Sequence, residues 1–146
     1  MSKIVPLQAT IEIRDGCLCL HAQRAARALA RRFDEVMRPF GLTNQQFSLL
    51  MALNRPDAPT MAPVAELLAM DRTTLTAALK PLEHRGLLAI ETDPKDKRSR
   101  RIRLTGEGHA ALLRALPKWR ETHAEIERAQ PDINMNRLRS WLRSLV

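Results

Sequence analysis

Between Lys95 and Arg103, six of nine residues are basic: Lys95, Lys97, Arg98, Arg100, Arg101 and Arg103. The whole chain holds 24 Lys and Arg, so a quarter of its cations fall in this one stretch. That density suits the closely spaced phosphates of a nucleic acid, and a narrow minor groove attracts Arg in particular. Upstream, Arg72, Thr73, Thr76 and Lys80 share a helical spacing with no carboxylate among them. On a helix they would form one face, in which Arg can bond guanine bidentately and a Thr hydroxyl or methyl can read other base edges. The expected DNA-contacting set is Arg72, Thr73, Thr76, Lys80, Lys95, Lys97, Arg98 and Arg100.

Other reactive side chains do not assemble into a centre. His21, His84, His109 and His123 are dispersed, with no Ser- or Cys-centred motif and no Gly-rich phosphate loop. Cys17-x-Cys19-x-His21 offers soft metal ligands, yet no second cluster completes four, so neither metal nor cofactor is expected. The reading is of a binding protein and not an enzyme. With 146 residues, 45% of them hydrophobic, one domain is expected, and the formal charge of +8 points to a polyanionic partner. Aromatics are only 3%, which argues against a membrane-surface helix. No stretch approaches a membrane span and the N-terminus lacks a signal-peptide pattern, so a cytoplasmic location is expected.

The elements that must hold these residues are mainly helical. Residues 1–16 read as an N-terminal arm carrying a brief alternation, Thr10 to Arg14. From Leu18 the apolar series Leu18, Ala22, Ala25, Leu29, Phe33 and Val36 predicts a helix, stopped by Pro39 and Gly41. Arg24, Arg27, Arg31 and Arg32 would lie on its solvated side. Thr43 and Gln46 form a capping-box pattern for a second helix with Phe47, Leu50 and Met51 inward. Thr60 can cap a short third helix with Val64, Leu67 and Leu68 inward. Asp71 then caps a fourth, whose stripe is Leu75, Ala78, Leu79 and Leu82.

After Gly86, the stretches Leu88–Thr92 and Arg101–Leu104 alternate like a hairpin around the basic turn. Thr105 should cap a long helix with Ala110, Leu113, Leu116 and Ile126 apolar, kinked at Pro117. Asp132 should start a last one bearing Ile133, Leu138, Trp141, Leu142 and Leu145. The fold class is therefore mainly α with a small β-hairpin wing: a winged helix-turn-helix lobe plus a helical dimerisation region. The boundaries are 42–104 for the DNA-binding region and 17–41 with 105–146 for dimerisation.

Several short motifs resemble the MarR family of bacterial regulators. They are Asp96-Lys97-Arg98 in the wing, Leu104-Thr105-Gly106-Glu107-Gly108 after it, Asp71 to Thr76, and Leu82-Glu83-His84-Arg85-Gly86-Leu87. Gly41-Leu42-Thr43 with Gln46-Phe47 is similar too, and the resemblance runs from about Cys17 to Ile126. It implies a homodimer on a palindromic DNA operator, with Arg98 in the minor groove and Asp96 holding the Arg98 guanidinium. It also implies a transcriptional regulator, in the repressor sense, released by a small-molecule effector or by oxidation of Cys19. The alternative is a sequence-neutral architectural DNA-binding protein. Two departures are Ala69, where the turn often has Gly, and Pro81 inside the recognition helix.

Overall fold

A computed structural model describes residues 4–146. Among them are seven helices and one hairpin: α1 (Leu7–Gly16), α2 (Leu18–Met37), α3 (Asn44–Leu53), α4 (Met61–Leu68), α5 (Arg72–His84), β1 (Leu88–Thr92), β2 (Arg100–Leu104), α6 (Gly106–Arg128) and α7 (Met135–Ser144). A 3-10 turn, Arg38–Phe40, links α2 to α3. The two strands pair antiparallel with Ile90 opposite Ile102. A bridge between Thr60 and Arg101 adds the linker before α4 to the edge of the hairpin.

The core forms where α3, α4, α5, the hairpin and α6 meet. Leu50, Val64, Leu75, Leu79, Leu82, Ile102 and Ala115 are fully buried. Each large side chain among them contributes about 1.5–3 kcal/mol by leaving water. The Thr43–Gln46 capping box closes with both of its bonds, 3.1 Å each. Thr105 accepts from the Gly108 N–H and donates to the Gly86 carbonyl, so it starts α6 and fastens it to the end of α5.

Three helices end in a left-handed residue: Gly41 (φ 71°), Ala69 (φ 51°) and Gly86 (φ 74°). In each case the next residue's N–H reaches back five residues, Leu42 to Met37, Met70 to Ala65 and Leu87 to Leu82. This is the Schellman closure of a helix. Ala69 is the non-glycine member of the set, and it forms the turn between α4 and α5. Pro81 and Pro117 both lie inside unbroken helices.

Four expectations need correction. The buried face of α6 is Gly108, Ala111, Leu112, Ala115 and Thr122, while Leu113 is 70% exposed. Small residues allow close approach, so the face is shifted from the one the large residues suggested. Leu67 (63% exposed) and Met51 border an open apolar groove with Leu116 and Trp119, and the α3–α4 core uses Leu49, Leu53 and Ala65 instead. The last helix is capped by Asn134, which accepts from the Arg137 N–H at 3.1 Å, and not by Asp132. The alternation at Thr10–Arg14 falls within α1, a helix that buries no side chain; the first three residues of the expected arm lie outside the described residues.

Candidate nucleic-acid interface

α5 is held at its N-terminus by Asp71, which accepts from the Thr74 N–H at 2.7 Å and from the Thr74 hydroxyl at 2.9 Å. These donors keep the Asp71 carboxyl below its usual range, the Thr74 N–H being the largest cause. Thr74 thus serves the helix start, as its place beside the buried stripe suggests. Arg72, Thr73, Thr76 and Lys80 are all exposed; Thr73, Thr76 and Lys80 lie on the side of α5 away from Leu75, Leu79 and Leu82, while Arg72, three residues before Leu75, flanks that stripe at the first turn. Neither Arg72 nor Lys80 has a carboxylate within ion-pair distance among the described residues. The Thr76 hydroxyl donates to the Arg72 carbonyl at 2.7 Å, which leaves its oxygen free to accept.

The hairpin divides its six cations by role. Arg103 pairs across the strands with Glu91 at 2.9 Å, and Arg101 with Asp93 at 3.3 Å. Lys95, Lys97 and Arg98 are exposed and unpaired among the described residues, and Arg100 donates to the Lys97 carbonyl at 3.2 Å. Asp96 does order Arg98, but by accepting from its backbone N–H at 3.0 Å. The expected Asp96–Arg98 salt bridge is therefore corrected to a main-chain turn contact, with the guanidinium left free. The one carboxylate that the loop buries is Asp93, whose backbone N–H bonds the Ser99 carbonyl. The Lys95 N–H first, and Arg101 second, hold its carboxyl below the ordinary range.

Two features escaped the sequence. Asn44, the first residue of α3, donates to Asp34 of α2 from both its backbone and its amide, at 2.8 and 2.7 Å. The pair fastens α2 to the winged lobe and lowers the Asp34 carboxyl. Beside it lies a cavity of about 180 Å³ between α2, α3 and α6, walled by Phe33, Phe47, Trp119 and His123. Trp119 and His123 ring centres are 4.6 Å apart, and Phe47 stacks on Trp119 at 6.3 Å. Only the aromatic content of these helices hinted at it. Near the N-terminus, Cys17 caps α2 by accepting from the Leu20 N–H at 3.4 Å. Cys19 is exposed and accepts from the Gln23 amide at 3.0 Å. No group of metal-ligating side chains occurs among the described residues, and no helix is long and apolar enough to cross a membrane.

A two-helix unit closed by a tight turn, with a basic hairpin directly after the second helix, defines the winged helix-turn-helix class. The sequence model of the MarR family matches residues 40–99. The chain is 32% identical over 108 residues to the regulator PecS of Dickeya dadantii, covering 72% of this chain and 63% of PecS. It is 34% identical over 90 residues to the transcriptional activatory protein BadR of Rhodopseudomonas palustris, covering 59% and 51%. The chain thus spans about half to two thirds of the length of these curated relatives. The crystal structure of the M. tuberculosis regulator MosR in complex with DNA superposes with a TM-score of 0.78 at 37% identity, covering 88% of this chain and 92% of MosR. The chain belongs to the MarR family.

Proposed function

We propose that this protein is a sequence-specific DNA-binding transcriptional regulator that acts in the cytoplasm as a homodimer on a palindromic operator, in the repressor sense. The observation that carries the reading is the pairing of two free cationic surfaces on adjacent elements. One is the carboxylate-free face of α5, with Arg72, Thr73, Thr76 and Lys80; the other is the wing turn, with Lys95, Lys97, Arg98 and Arg100. Residues 42–104 carry both, and residues 17–41 with 105–146 form the dimerisation region. Its support is the apolar surface left open on α7 and just after it, where Leu138, Trp141 and Leu142 of the helix and Leu145 at its C-cap are 40–62% exposed.

Release from DNA is assigned to a small-molecule effector in the cavity between α2, α3 and α6. A cavity of roughly 150 Å³ accepts benzene, so one of about 180 Å³ suits a small aromatic compound. Such a ligand would lie against the Asp34–Asn44 joint between the dimerisation helix and the lobe. Oxidation of the exposed Cys19 is the second route to release.

The test begins with selection of bound duplexes from a random library, followed by titrations of two variants. Arg72→Ala should cost about 1–3 kcal/mol on the selected operator and less on random DNA, as befits a base-edge contact. Arg98→Ala should weaken binding to both and reduce the salt slope by about one, because a wing cation reads groove shape and phosphate. Selection that enriches no sequence would replace this reading with sequence-neutral architectural binding.

A further inference from the structure

The wing is stapled at its base as well as ordered at its tip. Arg101, in β2, donates to the Ala58 carbonyl at 2.6 Å and pairs with Asp93 at 3.3 Å. Ala58 belongs to the linker that leads into α4. Asp93 begins the wing turn and accepts from the Lys95 N–H at 3.0 Å. One guanidinium therefore ties the start of the turn to the segment just before the helix-turn-helix. The next amide along, Ile102 N–H, bonds the Pro59 carbonyl at 2.9 Å and extends the same seam. Arg101 is a third exposed, and the Asp93 side chain is almost wholly buried. That placement sets Arg101 apart from the exposed cations of the turn.

We propose that Arg101 is a positioning residue: through Asp93 and Ala58 it fixes the angle of the wing relative to α4 and α5, so that Arg98 reaches DNA while α5 reads it. The proposal rests on the DNA-binding reading above. A planar guanidinium is suited to the task because its N–H groups diverge, letting Nε serve Asp93 while Nη1 serves Ala58. A lysine carries the same charge on one nitrogen at the end of a flexible stem and cannot hold both partners in that geometry.

Arg101→Lys keeps the net charge and the number of trypsin sites, so it isolates geometry. Asp93→Asn removes the other half of the pair and serves if the first variant folds poorly. Two measurements on the full-length protein decide the matter. Without DNA, limited trypsin digestion at Lys95, Lys97, Arg98 and Arg100 should be several-fold faster in either variant, because the turn has lost its anchor. With the selected operator, Arg101→Lys should weaken binding roughly tenfold, within the range of coupled neighbours, and lower the salt slope by about one despite unchanged charge. Adding Arg98→Ala to Arg101→Lys should then cost little more.

Unchanged trypsin rates would overturn the proposal whatever DNA does. Losses from Arg101→Lys and Arg98→Ala that multiply independently would also overturn it, since Arg101 would then act without the wing tip. If the wild type selected no duplex while the variants were cut faster, the DNA-binding reading would fall and the anchoring role of Arg101 would stand.

Discussion

The left-handed residue Ala69 in the turn between α4 and α5 makes a quantitative test of how the helix-turn-helix is held. An L-residue in that region costs about 1–2 kcal/mol against the right-handed alternative, a penalty glycine escapes. Replacing Ala69 by Gly removes it but adds about 0.4–1 kcal/mol of freedom to the unfolded chain. The expected net gain is about 0.5–1 kcal/mol. For a chain of this length that raises the melting temperature by about 1–4 °C. Gly86 supplies the mirror experiment: it has the same backbone sign, φ 74°, and a methyl group built there meets nothing within 4 Å. Gly86→Ala should therefore lose about what Ala69→Gly gains. Both are read by thermal melts at one fixed protein concentration, because association shifts the transition. If Ala69→Gly were neutral or destabilising and Gly86→Ala harmless, backbone strain would not be the term that separates the two turns.

Further outcomes follow from single contacts. A methyl at Gly108 would collide with the Leu87 carbonyl and with Leu104, so Gly108→Ala should cost about 1–3 kcal/mol in urea unfolding. The carboxyls of Asp34, Asp71 and Asp93 are all held below their ordinary range, chiefly by backbone N–H donors from Asn44, Thr74 and Lys95. Their folded-state pKa is depressed, so their contribution is complete above about pH 4 and fades as pH falls through the folded values. Melts across an acid series should flatten in Asp71→Asn if the cap carries its share. Truncation before Asp132 removes α7 and should move sedimentation from dimer towards monomer, with weaker operator binding. Oxidant should abolish DNA binding in the wild type and spare Cys19→Ser; equal responses would leave the exposed thiol with no part in release.

Local rules carried the parts of the fold that local bonds decide. The capping box at Thr43, the Asp71 cap and the stripe Leu75, Leu79 and Leu82 lie where short-range pattern put them. The motif Leu104-Thr105-x-x-Gly108 acquires a physical meaning: a buried anchor, a helix cap, and a residue without a side chain where a helix passes a strand. What the pattern missed depends on distance along the chain. The Arg101 bond to Ala58 spans 43 residues, and the Asp34–Asn44 joint crosses a helix end. The face of α6 misled because Ala111 and Ala115 bury more completely than the larger Leu113. The exposed residues of α5 were legible because a buried stripe on one side fixes the other.

The cap on α5 also shapes how a duplex could approach. A bare helix N-terminus is a natural seat for phosphate, since its open amides and dipole welcome an anion. Here the Asp71 carboxylate already fills that seat, taking the Thr74 amide and hydroxyl. A backbone phosphate arriving at that end meets a like charge and an occupied donor. Arg72, the first residue of α5, stands beside that carboxylate and has no ion pair among the described residues, so on the DNA-binding reading proposed above a phosphate at this end would be drawn by a side chain and not by the Thr74 amide. On that reading the contact at this end of α5 would come from a long side chain that can adapt its reach, where an uncapped helix would offer fixed backbone donors.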